Sequence, residues 1–158
     1  MGTSAVILFN SGETPKINEI IPRLEKLFEK EDLFYSRELN KVDGTGNVKY
    51  CEFCISDIPL EESYERQICL GVADEPYPFK LINFDWEDPE KEYFKTIVIN
   101  DFDENEDLLF TFLLAFLEEY MTAKVWIEED WFYTLEDLKN TRDHYQNDWS
   151  YINPQKQH

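Results

Sequence analysis

Three cysteines come first among the residues that could do chemistry. Cys51-x-x-Cys54 with Cys69 suggests zinc, because Cys-x-x-Cys is half of many structural sites. A second pair would require cysteine at position 66 or 72, where the chain has Arg66 and Val72. Residues three apart on a strand also point to opposite faces. A dithiol redox motif opens a helix after a strand, whereas β-type residues surround this one. The favoured reading is three buried, reduced structural thiols, and no metal ligand is assigned.

The other constellations are weaker. Ser11-Gly12, between an apolar run and a helical pattern, could aim backbone N–H groups at a phosphate, but there is no Walker lysine and Glu13 would repel an anion. Gly44-x-Gly46 lacks the third glycine of a dinucleotide fingerprint and reads as a turn. His144 beside Asp143 reads as a surface histidine, and no Gly-x-Ser-x-Gly elbow occurs. Glu128-Glu129-Asp130 departs from calcium-loop spacing and reads as a solvated corner. No catalytic residue and no cofactor are assigned.

What stands out is a mixture of acids with large aromatics. Asp85-Trp86-Glu87-Asp88 and Glu128-Glu129-Asp130-Trp131-Phe132-Tyr133 each set tryptophan among carboxylates. Tryptophan and tyrosine serve as binding anchors, and carboxylates steer a basic partner. The candidate partner-binding residues are therefore Asp85, Trp86, Glu87, Asp88, Glu128, Glu129, Asp130, Trp131 and Tyr133. The competing reading makes Trp86, Trp126 and Trp131 core residues at strand ends, with the acids turned to water.

The elements that position these residues follow from periodicity. Leu109, Phe112, Phe116 and Tyr120 form one apolar row of a helix, and Phe110, Leu113, Leu114 and Leu117 another. Asp107, Thr111, Ala115 and Glu118 leave a narrow wet edge. Asp103 with Glu106 predicts the N-cap of this helix, which ends near Met121. Ala5 to Asn10 predicts a buried strand. Thr14 and Pro15 predict the start of a helix reaching Lys30, with a kink or restart at Pro22. Runs at Val48–Ser56, Glu65–Ala73, Phe79–Trp86, Phe94–Asp101 and Lys124–Ile127 predict strands, paired antiparallel because connections such as Asp74-Glu75-Pro76-Tyr77-Pro78 are too short for crossovers. Thr134 with Asp137 predicts the cap of a last helix from Leu135. The order β-α-β-β-β-β-α-β-α predicts one α+β domain over residues 1–158: a mainly antiparallel sheet, a buried Leu/Phe-rich helix and two further helices. The tail from Asn147 is expected either to fray or to dock through Trp149 and Tyr151.

Composition bounds the function. With 42% hydrophobic residues in 158, the acidity does not signal disorder. Residues 1–50 carry 7 basic and 8 acidic side chains, and residues 51–138 carry 5 and 24, so the whole formal excess of −19 sits in the middle. Such a chain should avoid nucleic acid and anionic membranes and attract basic surfaces. The longest apolar run of the Leu/Phe helix, Phe112 to Leu117, is far short of the roughly 20 residues a membrane span needs. With no export signal and an odd cysteine count, the expected location is cytoplasmic.

The segment from Lys124 to Leu138, KVWIEEDWFYTLEDL, after a Leu/Phe-rich helix, resembles small acidic immunity proteins of bacterial polymorphic and contact-dependent toxin systems. The resemblance lies in size, acidity, element order and the last third of the chain. It implies an inhibitor that binds and neutralises one cognate toxin, of which nucleases are one class, and carries over no catalytic residue. The alternatives are another protein-interaction or regulatory domain and, less favoured, a small-molecule enzyme.

Overall fold

A computed structural model describes residues 3–74, 80–144 and 149–154. Its elements are β1 (Ser4–Asn10), α1 (Ile17–Lys30), β2 (Phe34–Val42), β3 (Val48–Ser56), β4 (Ile68–Ala73), β5 (Leu81–Ile82), β6 (Tyr93–Asn100), α2 (Glu106–Glu119), β7 (Lys124–Trp126), β8 (Phe132–Tyr133) and α3 (Leu135–Asp143). The class is α+β and the expected order stands, with β2 and β8 as additional strands. The predicted Phe79–Trp86 strand shortens to Leu81–Ile82, and its preceding turn over residues 75–78, with Phe79, lies outside the described residues.

All strand pairs are antiparallel, in the order β2-β3-β4-β6-β1-β7-β8. β4 pairs with the end of β6 at residues 97–100, and β5 pairs with its start at Tyr93 and Phe94. β1 is apolar from Ala5 to Phe9 because that stretch is covered on both faces. Ala5, Ile7 and Phe9 join the main core beneath the helices, whereas Val6 and Leu8 join a second cluster on the opposite, outer face. That second cluster divides the outer face of the sheet.

α2 is the centre of the main core. Leu109, Phe112, Leu113 and Leu117 are fully buried, and Phe116 nearly so, while Asp107, Thr111 and Glu118 form the wet edge. Its N-cap is Asn105, not Asp103. The Asn105 amide donates to the carbonyls of Glu65 and Gln67, 3.1 and 3.4 Å away, so it ties the helix start to the approach to β4 instead of capping in place. α1 starts two residues later than expected, with Lys16 and not Thr14 as N-cap, and runs unbroken through Pro22 because Ile20, Ile21 and Leu24 are buried on both sides of it. Its first N–H, from Ile17, is taken by the carboxylate of Asp74 at 3.1 Å, a cap delivered from the end of β4. α3 carries the expected capping box between Thr134 and Asp137. In the tail, Trp149 docks: it is 1% exposed, contacts Phe110 and Tyr133, and donates to the Glu106 carbonyl.

Arg66 links α2 to the loop after β3. Its guanidinium donates to both oxygens of Asp57 and both of Asp107, at 2.7 to 3.0 Å. These hydrogen bonds hold both carboxyls below their ordinary range. A depressed carboxylate contributes stability that is complete above its unfolded pKa of about 3.9 and is lost as pH falls through the lower folded value. Because Asp57 and Asp107 are 44% and 58% exposed, water screens much of the effect. Arg66→Gln should therefore flatten the acid side of the stability profile below about pH 4 and change the plateau near neutrality by about 1 kcal/mol or less, as read from denaturant melts across pH. An unchanged acid slope would mean that these pairs do not couple to folding.

Candidate functional site

The expected partner-binding residues do not form one patch. Successive strand residues face opposite ways, so Phe132 joins the outer cluster whereas Trp131 and Tyr133 face the main core. Tyr133 is 1% exposed, and its hydroxyl donates to the carbonyls of Trp149 and Ile152. It is a core residue that pins the tail and not an exposed anchor. Trp131 is half-buried against the same core, on the opposite side of the sheet from Trp86.

Trp86 instead belongs to an aromatic cluster. The segment from β5 to residue 92 folds back over β6, β1 and β7 and drives Phe84 between Trp86, Tyr93, Trp126 and Phe132, with ring centroids 4.9 to 5.9 Å apart. Trp86 also lies 4.8 Å from Phe132. The ammonium of Lys124 stands over the rings of Tyr93 and Phe132 at 5.4 and 5.2 Å. Glu87 accepts the Tyr93 hydroxyl at 2.8 Å and lies 3.8 Å from Lys124, so it braces the cluster and is not a free steering charge. Burial, then the Glu87 hydrogen bond, raises the Tyr93 phenol far above its ordinary value. Asp85, Asp88, Glu128, Glu129 and Asp130 are exposed, which both the partner-binding reading and the solvated-acid reading require. Phe84 and Lys124, which organise this end of the face, were not singled out in sequence, because only the fold-back brings them to Trp86.

Among the described residues, none covers the other half of the outer face, over β3, β4 and β6. A row of small polar side chains crosses it in register: Ser36, Cys54, Cys69, Asn100 and Ser4. Cys54 and Cys69 lie directly opposite one another, Cα atoms 4.2 Å apart, and are joined by a disulfide. Cys69 is exposed and Cys54 half-buried. The expectation of three buried, reduced thiols is thus corrected for two of them, since cross-strand register is invisible in spacing alone. Cys51, three residues earlier, faces the core with its thiol pushed up to about 11 by burial.

Around this row is a trough of about 640 Å³. Among the described residues, its charged lining is five carboxylates, Glu52, Glu65, Asp101, Asp103 and Glu104, against the ammonium of Lys80. Burial, then repulsion from Lys95 and Lys41, lowers the Lys80 pKa. Tyr50 and the 91% exposed Tyr64 supply aromatic walls. Gly71 forms part of the floor because the Tyr50 ring occupies the space a Cβ would need, and the Tyr50 hydroxyl donates to Glu52 at 2.8 Å. Asp101 and Glu104 hold left-handed backbone at φ 55° and 70°, which folds the β6–α2 connection around the rim. Val98 both lines the trough and packs on the aromatic cluster, so the two halves share a border.

Among the described residues, no three His, Cys, Asp or Glu side chains converge to hold a metal ion, and no helix is long and apolar enough to cross a membrane. Comparison with protein-family models, with curated proteins and with solved structures found no match for the chain.

Proposed function

We propose that this protein binds a basic protein partner without catalysis and acts as an immunity-type inhibitor of a bacterial toxin. The observation that carries the reading is the open, acid-lined trough on the outer face of the sheet, walled by Tyr50 and Tyr64 and bordered by the cluster that presents Asp85 and Asp88. A toxin that cleaves nucleic acid carries a positive surface for phosphates, and an acidic concavity can occlude that surface. The proposal places the protein in the cytoplasm, where such a toxin acts. The Cys54–Cys69 disulfide does not carry that placement.

The test is co-purification with the product of the neighbouring gene, followed by stopped-flow binding. Association should slow about tenfold or more as salt rises, and similarly when Glu65, Asp103 and Glu104 are reversed to lysine. Reversal of Asp85, Asp88 and Glu128 should slow it less, and Tyr64→Ala should act mainly on dissociation. Tight binding indifferent to salt and to both reversals would sink the electrostatic reading. A partner that is not a toxin would favour a regulatory interaction domain instead.

A further inference from the structure

The trough holds a reactive bond as well as charge. Cys54–Cys69 crosses two adjacent strands on the face that the described residues leave open, and Cys69 is exposed there. Disulfides that thiols can reach are the labile ones, because exchange requires an incoming thiolate at one sulfur and displacement of the other. The geometry points to a thiol–disulfide exchange site, attacked at Cys69 from the trough and selective for thiols that carry positive charge.

The chemistry balances without an outside oxidant. An incoming thiolate bonds to the Cys69 sulfur as the Cys69–Cys54 bond breaks, and Cys54 leaves as a thiolate that takes a proton from water. A second thiol can then attack the mixed disulfide, leaving Cys69 reduced and the two small thiols joined to each other. Cys54 is the leaving group because the attack falls on Cys69, the more exposed of the two residues. Attack from the open side of the trough reaches the sulfur of the more exposed residue first.

Selectivity comes from the lining. Five carboxylates against one ammonium surround the path to Cys69. They concentrate a cation and repel an anion, and the effect is largest at low ionic strength. Cys51 is an internal control, since it is buried on the other face of β3. The inference stands whether or not the trough binds a toxin.

The test follows mixed-disulfide formation on the folded oxidised protein by mass spectrometry, using cysteamine as the cationic thiol, β-mercaptoethanol as the neutral one and mercaptoethanesulfonate as the anionic one. Each rate is compared at equal thiolate concentration and divided by the rate of the same thiol on an uncharged small disulfide, which removes intrinsic nucleophilicity. The normalised order should be cationic, neutral, anionic, with about tenfold or more between the ends at low salt, collapsing toward unity near 1 M salt, where the screening length is about 3 Å. Asp103→Asn with Glu104→Gln should narrow the spread. Peptide mapping should place the adduct on Cys69, with Cys51 unmodified. Equal normalised rates, an adduct mainly on Cys54, or a disulfide inert until the protein unfolds would each overturn the assignment.

Discussion

Leu113→Glu is expected to leave no cooperatively folded protein. Leu113 is fully buried on α2 between the sheet and the flanking helices. Truncating a buried leucine to a small residue already costs about 2–5 kcal/mol. A glutamate adds the cost of either burying a charge, several kcal/mol after relaxation, or protonating the carboxyl and burying it without a partner, about 2–7 kcal/mol. The sum is about 4–12 kcal/mol, comparable with the whole stability of about 5–15 kcal/mol expected of a domain. Ala115→Ser, half-exposed at the wet edge of the same helix, should be nearly silent. Circular dichroism and thermal melts of the two variants give the comparison, and amide exchange in the parent protein gives a second one. The amides of residues 108–117 should be among the slowest to exchange. Rapid exchange there, or a cooperative melt of the glutamate variant near the parent midpoint, would remove α2 from the centre of the fold.

That helix was legible because its signal is local. Rows spaced three and four apart define its buried faces within a dozen residues, and the Thr134–Asp137 capping box is a four-residue pattern that fixes the start of α3. β1 was legible for a similar reason, since an unbroken apolar run belongs to a strand covered on both faces. β2 escaped notice because it is an edge strand: Arg37, Glu38 and Asn40 are exposed, and the alternation is diluted by side chains that owe nothing to a core. The disulfide and the trough depend on register. Cys54 meets Cys69 only because the connection between β3 and β4 sets those two residues opposite each other, and a slip of one residue would turn Cys69 into the core. The acid and aromatic mixture was visible in sequence, but its division between two faces of the sheet was not. That division follows from the period of two along β8, which sends Phe132 one way and Trp131 and Tyr133 the other.

The same division makes the outer aromatic cluster a separate target. Phe84 is its hub, 5% exposed and in ring contact with Trp86, Tyr93, Trp126 and Phe132. Phe84→Ala removes contacts that normally stabilise by about 3–5 kcal/mol. The segment it anchors, residues 83–92, is also tied to the sheet by Trp86 against Phe132, by Glu87 to Tyr93 and Lys124, by the Glu92 carbonyl, which accepts the Ser11 amide, and by the two paired residues of β5 just before it. Phe84 is the ring on which Trp86 and Phe132 both pack, so its loss weakens those ties as well, and the segment should loosen before the domain unfolds. Val6 and Leu8 would then lose their cover on the outer face, whereas Ile7 and the α2 side chains lie on the opposite face and keep theirs. The expected result is rapid amide exchange across residues 81–92 and altered tryptophan fluorescence, with protection of residues 108–117 retained and the main thermal transition still cooperative. Exposed Val6 and Leu8 should also make the variant bind a hydrophobic dye that the parent protein does not. If α2 instead loses protection in step with the segment, the two clusters form one cooperative unit. The outer face would then be part of the core and not a separately formed platform for a partner.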